Sequence, residues 1–177
     1  MQRVELTIAG VGGQGSILAG VILGSAAVSY DKKYAVQTSA YSSELRGGFA
    51  AAWVVLSDEP VVYPRVTEPD VLVAQAQDSI ERFSAVLKPG GTLIYDSDMI
   101  ADPPAGIKKA HGVGATLLAR NELKAPIVAN IIMLGALYKI TEVVDRQALE
   151  KAIADAVPQG KAELNLKAFA LGMEKVS

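Results

Sequence analysis

Residues 4–38 read VELTIAGVGGQGSILAGVILGSAAVSYDKKYAVQT. Val4–Ala9 is a short apolar run that reads as a buried strand. The glycine-rich segment Gly10-Val11-Gly12-Gly13-Gln14-Gly15 follows it. Ser16–Tyr30 is then long enough for a helix. Ile17, Leu18, Val21 and Ile22 give that helix a core face, and Gly20, Gly24, Ala26 and Ala27 allow close packing on a sheet. Asp31-Lys32-Lys33 is a polar turn, and Tyr34–Thr38 reads as a second strand. Strand, helix, strand at this spacing is a βαβ unit, and such crossovers are almost always right-handed.

The rest of the chain continues the alternation. Ser39–Gly48 has no apolar periodicity and reads as a loop. Phe49–Leu56 is a strand, ended by Ser57-Asp58-Glu59-Pro60, and Val61–Tyr63 reads as a short one. Asp70–Gln75 is a buried strand. Asp78–Leu87 is a helix, stopped by Lys88-Pro89-Gly90-Gly91. Thr92–Asp96 and Ile107–Val113 are strands, and Ala115–Leu123 is a short helix. Pro126 suits the first turn of a long helix through Ile140. Asp145 reads as the N-cap of a helix to Val157, with Leu149, Ile153 and Val157 at four-residue spacing. Ala162–Lys175 is a last amphipathic helix. The expectation is one Rossmann-like α/β domain over residues 1–177, with a mostly parallel sheet, helices on both faces and a helical C-terminal third.

Composition bounds the chemistry. The 177 residues suit one domain, and 50% are hydrophobic, which argues for a packed core and against disorder. The net charge is −2, with no basic cluster to attract nucleic acid. There is no cysteine, so neither disulfides nor cysteine-held Fe–S or zinc sites are available. His111 is the single histidine, and it reads as a satisfied or exposed strand residue. The apolar runs Ile17–Val28 and Ile127–Tyr138 are too short to cross a bilayer. The first residues do not form a signal peptide, and a cytoplasmic protein is expected.

The glycine segment matches G-x-G-x-x-G between a strand and a helix. Glycines there permit a tight turn and close approach of a pyrophosphate, while helix N–H groups face the anion. A nicotinamide dinucleotide also requires an acid at the end of the second strand. Thr38-Ser39-Ala40 supplies none. Three readings stay open: packing without ligand, contact with part of a phosphate-bearing ligand, and contact with a partner's loop. The second unusual segment is Tyr41-Ser42-Ser43-Glu44-Leu45-Arg46-Gly47-Gly48. Glu44 and Arg46 form a plain surface ion pair worth about 0–1 kcal/mol, or Arg46 faces an anion or a partner's carboxylate. Trp53 reads as core. Asn130, an amide in an apolar helix, needs hydrogen-bond partners and is expected to fix a loop or a neighbouring helix.

The two segments together, with Ala19-Gly20 and Leu23-Gly24, resemble the gamma subunit of the pyruvate/2-oxoglutarate:ferredoxin oxidoreductase family. Pro126, Asn130 and Leu134-Gly135-Ala136 are similar to its late helix. Asn165, Ala168-Phe169 and Gly172 are similar to its terminal helix. The resemblance implies a complex that oxidises a 2-oxoacid with coenzyme A to acyl-CoA and carbon dioxide, passing electrons to ferredoxin. It implies alpha and beta partners, and in some cases a delta subunit, which carry thiamine diphosphate, Mg²⁺ and Fe–S clusters. The residues expected to meet coenzyme A or those partners are Gly10, Gly12, Gly13, Gln14, Gly15, Ser42, Glu44, Arg46, Gly47 and Gly48. No residue is expected to be catalytic or to bind metal. The sequence also lacks the Gly-Asp-Gly that thiamine diphosphate enzymes use to hold Mg²⁺. A stand-alone nucleotide-binding domain and a ligand-free interaction domain are the alternative readings.

Overall fold

The computed structural model describes residues 3–42 and 48–177. Its order is β1 (Val4–Val11), α1 (Ser16–Tyr30), β2 (Tyr34–Tyr41), β3 (Phe49–Ser57), β4 (Val71–Ala74), α2 (Gln77–Phe83), β5 (Thr92–Asp96) and β6 (Lys109–Val113). Then come α3 (Ala115–Leu117), α4 (Ala129–Thr141), α5 (Arg146–Ala156) and α6 (Ala162–Lys175). A 3₁₀ turn extends α2 over Ser84–Val86, a π turn extends α3 over Leu118–Glu122, and a 3₁₀ turn at Pro126–Val128 leads into α4. Asp145 caps α5, its carboxylate accepting from the Ala148 amide at 3.1 Å. No helix of the described residues is long and apolar enough to cross a membrane.

The sheet has six strands in the order β2-β3-β1-β4-β5-β6. β1 pairs parallel with β4, β4 with β5, and β5 with β6, whereas β3 runs antiparallel to both β1 and β2. Five strands therefore point one way and β3 points back. This corrects the simple βαβ expectation, because β3 is inserted between the two strands that α1 connects. The sequence contains the reason. β3 is apolar from Phe49 to Leu56 and buried along nearly its whole length, so it takes an interior position. β2 carries Gln37, Thr38 and Ser39 and has no buried residue, so it takes the edge. β2 also runs past the expected Thr38 to Tyr41, because Ser39, Ala40 and Tyr41 pair with Ala52, Ala51 and Ala50. Val61–Tyr63 does not form a strand; Val62 and Tyr63 lie exposed on an irregular segment.

The larger core lies on one face of the sheet. There Leu6, Ile8, Val54, Leu56, Val73 and Ile94 meet α1, α4, α5 and α6. A smaller cluster of Leu72, Ala74, Leu93, Ile80 and Ile100 forms under α2 on the other face. Trp53 is half-buried and meets Phe83 edge-on, with ring centroids 6.1 Å apart. Helix α4 crosses α6 at Gly135 and Gly172, where each glycine abuts the partner helix's backbone. The core face of α1 differs from the expected one. Ala19, Ile22, Leu23, Ala26 and Ala27 point inward, while Leu18 and Val21 are 42% and 43% exposed.

Candidate functional site

The glycine segment closes on itself. Gln14 folds back so that its Oε1 accepts from the Val11 amide at 2.8 Å and its Nε2 donates to the Gln75 carbonyl at 3.0 Å. Gln75 returns the contact, donating to the Gln14 carbonyl at 3.2 Å and to Ser16 Oγ at 2.9 Å. A side chain at residue 10 would collide with Gln14 Oε1 at 2.5 Å, so Gly10 makes room for glutamine. Gly13 and Gly15 have φ of +96° and +74°, which explains glycine at both positions. Asn130 on α4 donates to the Gly15 carbonyl at 3.2 Å, the loop-fixing bond expected of that amide. A dinucleotide geometry is poorly served here. The space over Gly10 is filled, and β3 rather than β2 is the neighbour of β1.

The two motif segments are adjacent. The Gly12 amide donates to the Gly48 carbonyl at 2.7 Å, and the Ser42 amide donates to the Phe49 carbonyl at 3.0 Å. β1 and β2 point the same way, so the glycine segment, Ser42 and Gly48 lie at one edge of the sheet. Of the residues expected at the site, Gly10, Gly12, Gly13, Gln14, Gly15, Ser42 and Gly48 are placed along that edge. Glu44, Arg46 and Gly47 lie outside the described residues, with Ser43 and Leu45 between them. Ser42 Oγ is buried and has no hydrogen-bond partner among the described residues.

Beside the glycine segment a cleft of about 250 Å³ opens at the carboxyl ends of the parallel strands. Gly13 and Gln14 reach it from the loop after β1, Gln75 from the end of β4, Asp96 from β5 and Thr116 from α3, with Arg120 alongside. Open α/β sheets bind ligands at this edge. Gln75 is 3% exposed and its Oε1 has no partner among the described residues, so the cleft has an uncommitted acceptor on its wall. Asp96 is 2% exposed. One of its oxygens accepts from Thr116 Oγ1 at 2.6 Å and the Thr116 amide at 3.2 Å, and the other from the Asp98 amide at 3.1 Å. Burial pushes the Asp96 carboxyl above its ordinary value, and the Asp98 charge adds to this, against the pull of those hydrogen bonds. The cleft can hold a ligand through acceptors, an apolar wall and one guanidinium.

The role of Asp96 in stability has a sign. Folded Asp96 holds its proton more tightly than the unfolded chain does, so its ionisation opposes folding. Its share of stability is intact below the ordinary value of 3.8 and is lost as pH rises from there through the raised folded value. We predict that Asp96→Asn removes this loss. Stability measured by urea titration should fall across that interval more in the parent than in the variant, and parallel curves would rule the assignment out.

Gln75, Asp96, Thr116 and Arg120 were not among the residues expected from sequence. A signal existed for two of them. Gln75 and Asp96 are the first polar residues ending buried runs, which is where parallel strands deliver side chains to a ligand edge.

The chain matches the model of the family described as pyruvate ferredoxin/flavodoxin oxidoreductase over residues 5–175. It is similar to the 2-oxoglutarate synthase subunit KorC of Methanocaldococcus jannaschii, 46% identical over 174 residues that make up 97% of this chain and 93% of that one. It is similar to the crystal structure of a keto/oxoacid ferredoxin oxidoreductase gamma subunit from Geobacter sulfurreducens. That match has a TM-score of 0.89 and 43% identity, and covers 99% of this chain and 97% of that one. A 2-oxoglutarate:ferredoxin oxidoreductase from Magnetococcus marinus, with 2-oxoglutarate, coenzyme A and succinyl-CoA bound, matches with a TM-score of 0.86 and 25% identity. There the similarity covers 98% of this chain but 31% of the other.

Proposed function

The chain belongs to the pyruvate ferredoxin/flavodoxin oxidoreductase family, and from that premise we propose that it is the gamma subunit of a 2-oxoacid:ferredoxin oxidoreductase. In this reading the complex oxidatively decarboxylates a 2-oxoacid with coenzyme A to acyl-CoA and carbon dioxide, and ferredoxin takes the electrons. The 46% identity to a KorC subunit favours 2-oxoglutarate over pyruvate as the oxoacid. The observation that carries the reading is a match that spans nearly the whole of both chains.

Thiamine diphosphate, Mg²⁺ and Fe–S clusters do not fit this chain, which has no cysteine and no Gly-Asp-Gly. They belong to the alpha and beta partners, joined in some complexes by a delta subunit. The part played here is to pack on those subunits and contact coenzyme A. The edge shared by the glycine segment, Ser42 and Gly48 supports that role, since the Gly12–Gly48 bond joins the glycine segment to the end of the second motif. The glycine segment acts as a rigid wall rather than an open phosphate cradle, because Gln14 fills it. The same filling weighs against a stand-alone nucleotide-binding domain.

Arg46 is the residue proposed to offer a planar two-pronged contact to a coenzyme A phosphate or to a partner carboxylate. Arg46→Ala should change stability by less than about 0.5 kcal/mol. In the reconstituted complex it should raise KM for coenzyme A or weaken assembly. Melting temperature, complex formation and coenzyme A kinetics on one preparation test this. If assembly and kinetics both stay unchanged, Arg46 is an ordinary surface charge.

A further inference from the structure

We propose that β2 pairs with the β2 of a second copy of this chain, about a twofold axis normal to the sheet and centred on Thr38. β2 ends the strand order, and its pairing with β3 is regular from Tyr34 to Tyr41. Exposed edge strands are usually protected by a charge, a proline or a bulge. Among these eight residues, YAVQTSAY, there is no charge and no proline, and the register contains no bulge. The helix lying over β2 is equally unprotected. α1 contains no Asp, Glu, Lys or Arg, yet Leu18, Val21, Ser25 and Val28 are exposed along it. Their 3-4-3 spacing is that of a helix-packing seam. The sheet lies beneath α1 and α5 packs on it, so this seam is the face they leave free.

The hydrogen-bond parity of β2 selects the register. The Ser42 amide bonds to the Phe49 carbonyl, so even-numbered residues of β2 direct their amides and carbonyls toward β3. Ala35, Gln37, Ser39 and Tyr41 then direct theirs to the free edge. A twofold axis normal to the sheet keeps each face on its own side, so residues placed opposite must have equal parity. With Thr38 opposite Thr38, Gln37 faces Ser39 and Ala35 faces Tyr41 across the axis. Each of these pairs exchanges two bonds, and every outward amide and carbonyl of the four residues is matched. No charge is set against itself, which a homotypic contact requires. The same axis leaves both α1 helices on one face, flanking the joint. A strand of about 27 Å under a helix layer about 10 Å above it offers a joint of only a few hundred Å² per copy. That is the small end of specific interfaces, so the pairing should depend on concentration.

The chain's lack of cysteine makes the test clean. Thr38→Cys places one thiol at the axis, in a non-hydrogen-bonded pair with Cβ atoms about 4.5–5.5 Å apart, near disulfide range. Lys109→Cys, on the opposite edge strand β6, is the control. Under copper–phenanthroline oxidation the full-length Thr38→Cys chain should form a covalent dimer at least about tenfold faster than the control, as expected for a held rather than a colliding pair. Light scattering should show a concentration-dependent dimer for the parent chain. Thr38→Lys should shift it to monomer without moving Tm, since Thr38 is exposed. A parent chain that stays monomeric at every concentration overturns the proposal, as does equal cross-linking of the two cysteine variants. So does a Thr38→Lys chain that sheds a companion subunit from the purified complex while its own self-association is unchanged.

Discussion

Replacing Gly172 by alanine is expected to destabilise the fold by about 3 kcal/mol, lowering Tm by about 6–12 °C. Alanine at residue 172 on α6 would place its methyl inside 3.0 Å of the Ile132 carbonyl on α4. At Gly135 the same change meets the Phe169 carbonyl. Neither obstacle is a side chain that can rotate away, so the helices must separate along a joint that buries Phe169, Ile132 and Ala136. Helix propensity alone favours alanine by about 1 kcal/mol, so the sign of the result identifies which effect dominates. Gly24→Ala on α1 is the matched control. Its nearest neighbour is Gln37 Cβ at 4.0 Å, an ordinary contact, and the change should be neutral or mildly stabilising. If Gly172→Ala behaves like Gly24→Ala in chemical denaturation, the α4–α6 joint is not the close contact described.

The second large effect concerns Gly15. Alanine there must hold φ near +74°, and its methyl would lie 2.5 Å from Asn130 Nδ2. The left-handed backbone costs about 1–2 kcal/mol and the displaced amide about as much again, so Gly15→Ala should cost about 2–4 kcal/mol. Asn130→Ala should cost about 1 kcal/mol, because the Gly15 carbonyl keeps the Ala19 amide at 3.0 Å when the Asn130 bond is lost. In the double variant the collision is absent. Its cost should therefore fall short of the sum by about 1 kcal/mol or more. Strict additivity in a denaturant-based double-mutant cycle would show that the two residues do not restrain each other.

Much of the fold was legible in the sequence. β1, α1, β5 and α6 follow from apolar runs bounded by glycine, proline and polar turns. The Asp145 cap follows from its place ahead of a four-residue periodicity. What was not legible was pairing. Nothing local tells β2 that its neighbour will be antiparallel β3; that outcome reflects which strand is apolar enough to be enclosed on both sides. Ser39–Tyr41 read as loop by composition, yet they are strand because three alanines of β3 lie opposite them. Val61–Tyr63 shows the converse, β-branched residues with no ladder to join.

The site divided in the same way. The glycine pattern was visible, but its occupant was not. Gln14 returning to Val11 is a local contact, whereas its exchange with Gln75 spans 61 residues. Asp96 and Thr116 meet only because β5 and β6 run side by side. The interior position of β3 and the exposed seam of α1 likewise depend on which neighbours the rest of the chain supplies.

The reversed strand also orders events on a growing chain. By Ser57 the ribosome has released β1, α1, β2 and β3, which are all the partners of the antiparallel half. β2 and β3, close in sequence, join as an antiparallel pair, and β1 then closes onto β3 along its full length. The parallel half must wait, since Leu6 pairs with Val71, 65 residues downstream. Closure of that long loop is entropically slower than the β2–β3 pairing. The N-terminal third thus has a hydrogen-bonded scaffold available before its second sheet neighbour has emerged from the ribosome, and later strands are added to a template instead of searching for one another.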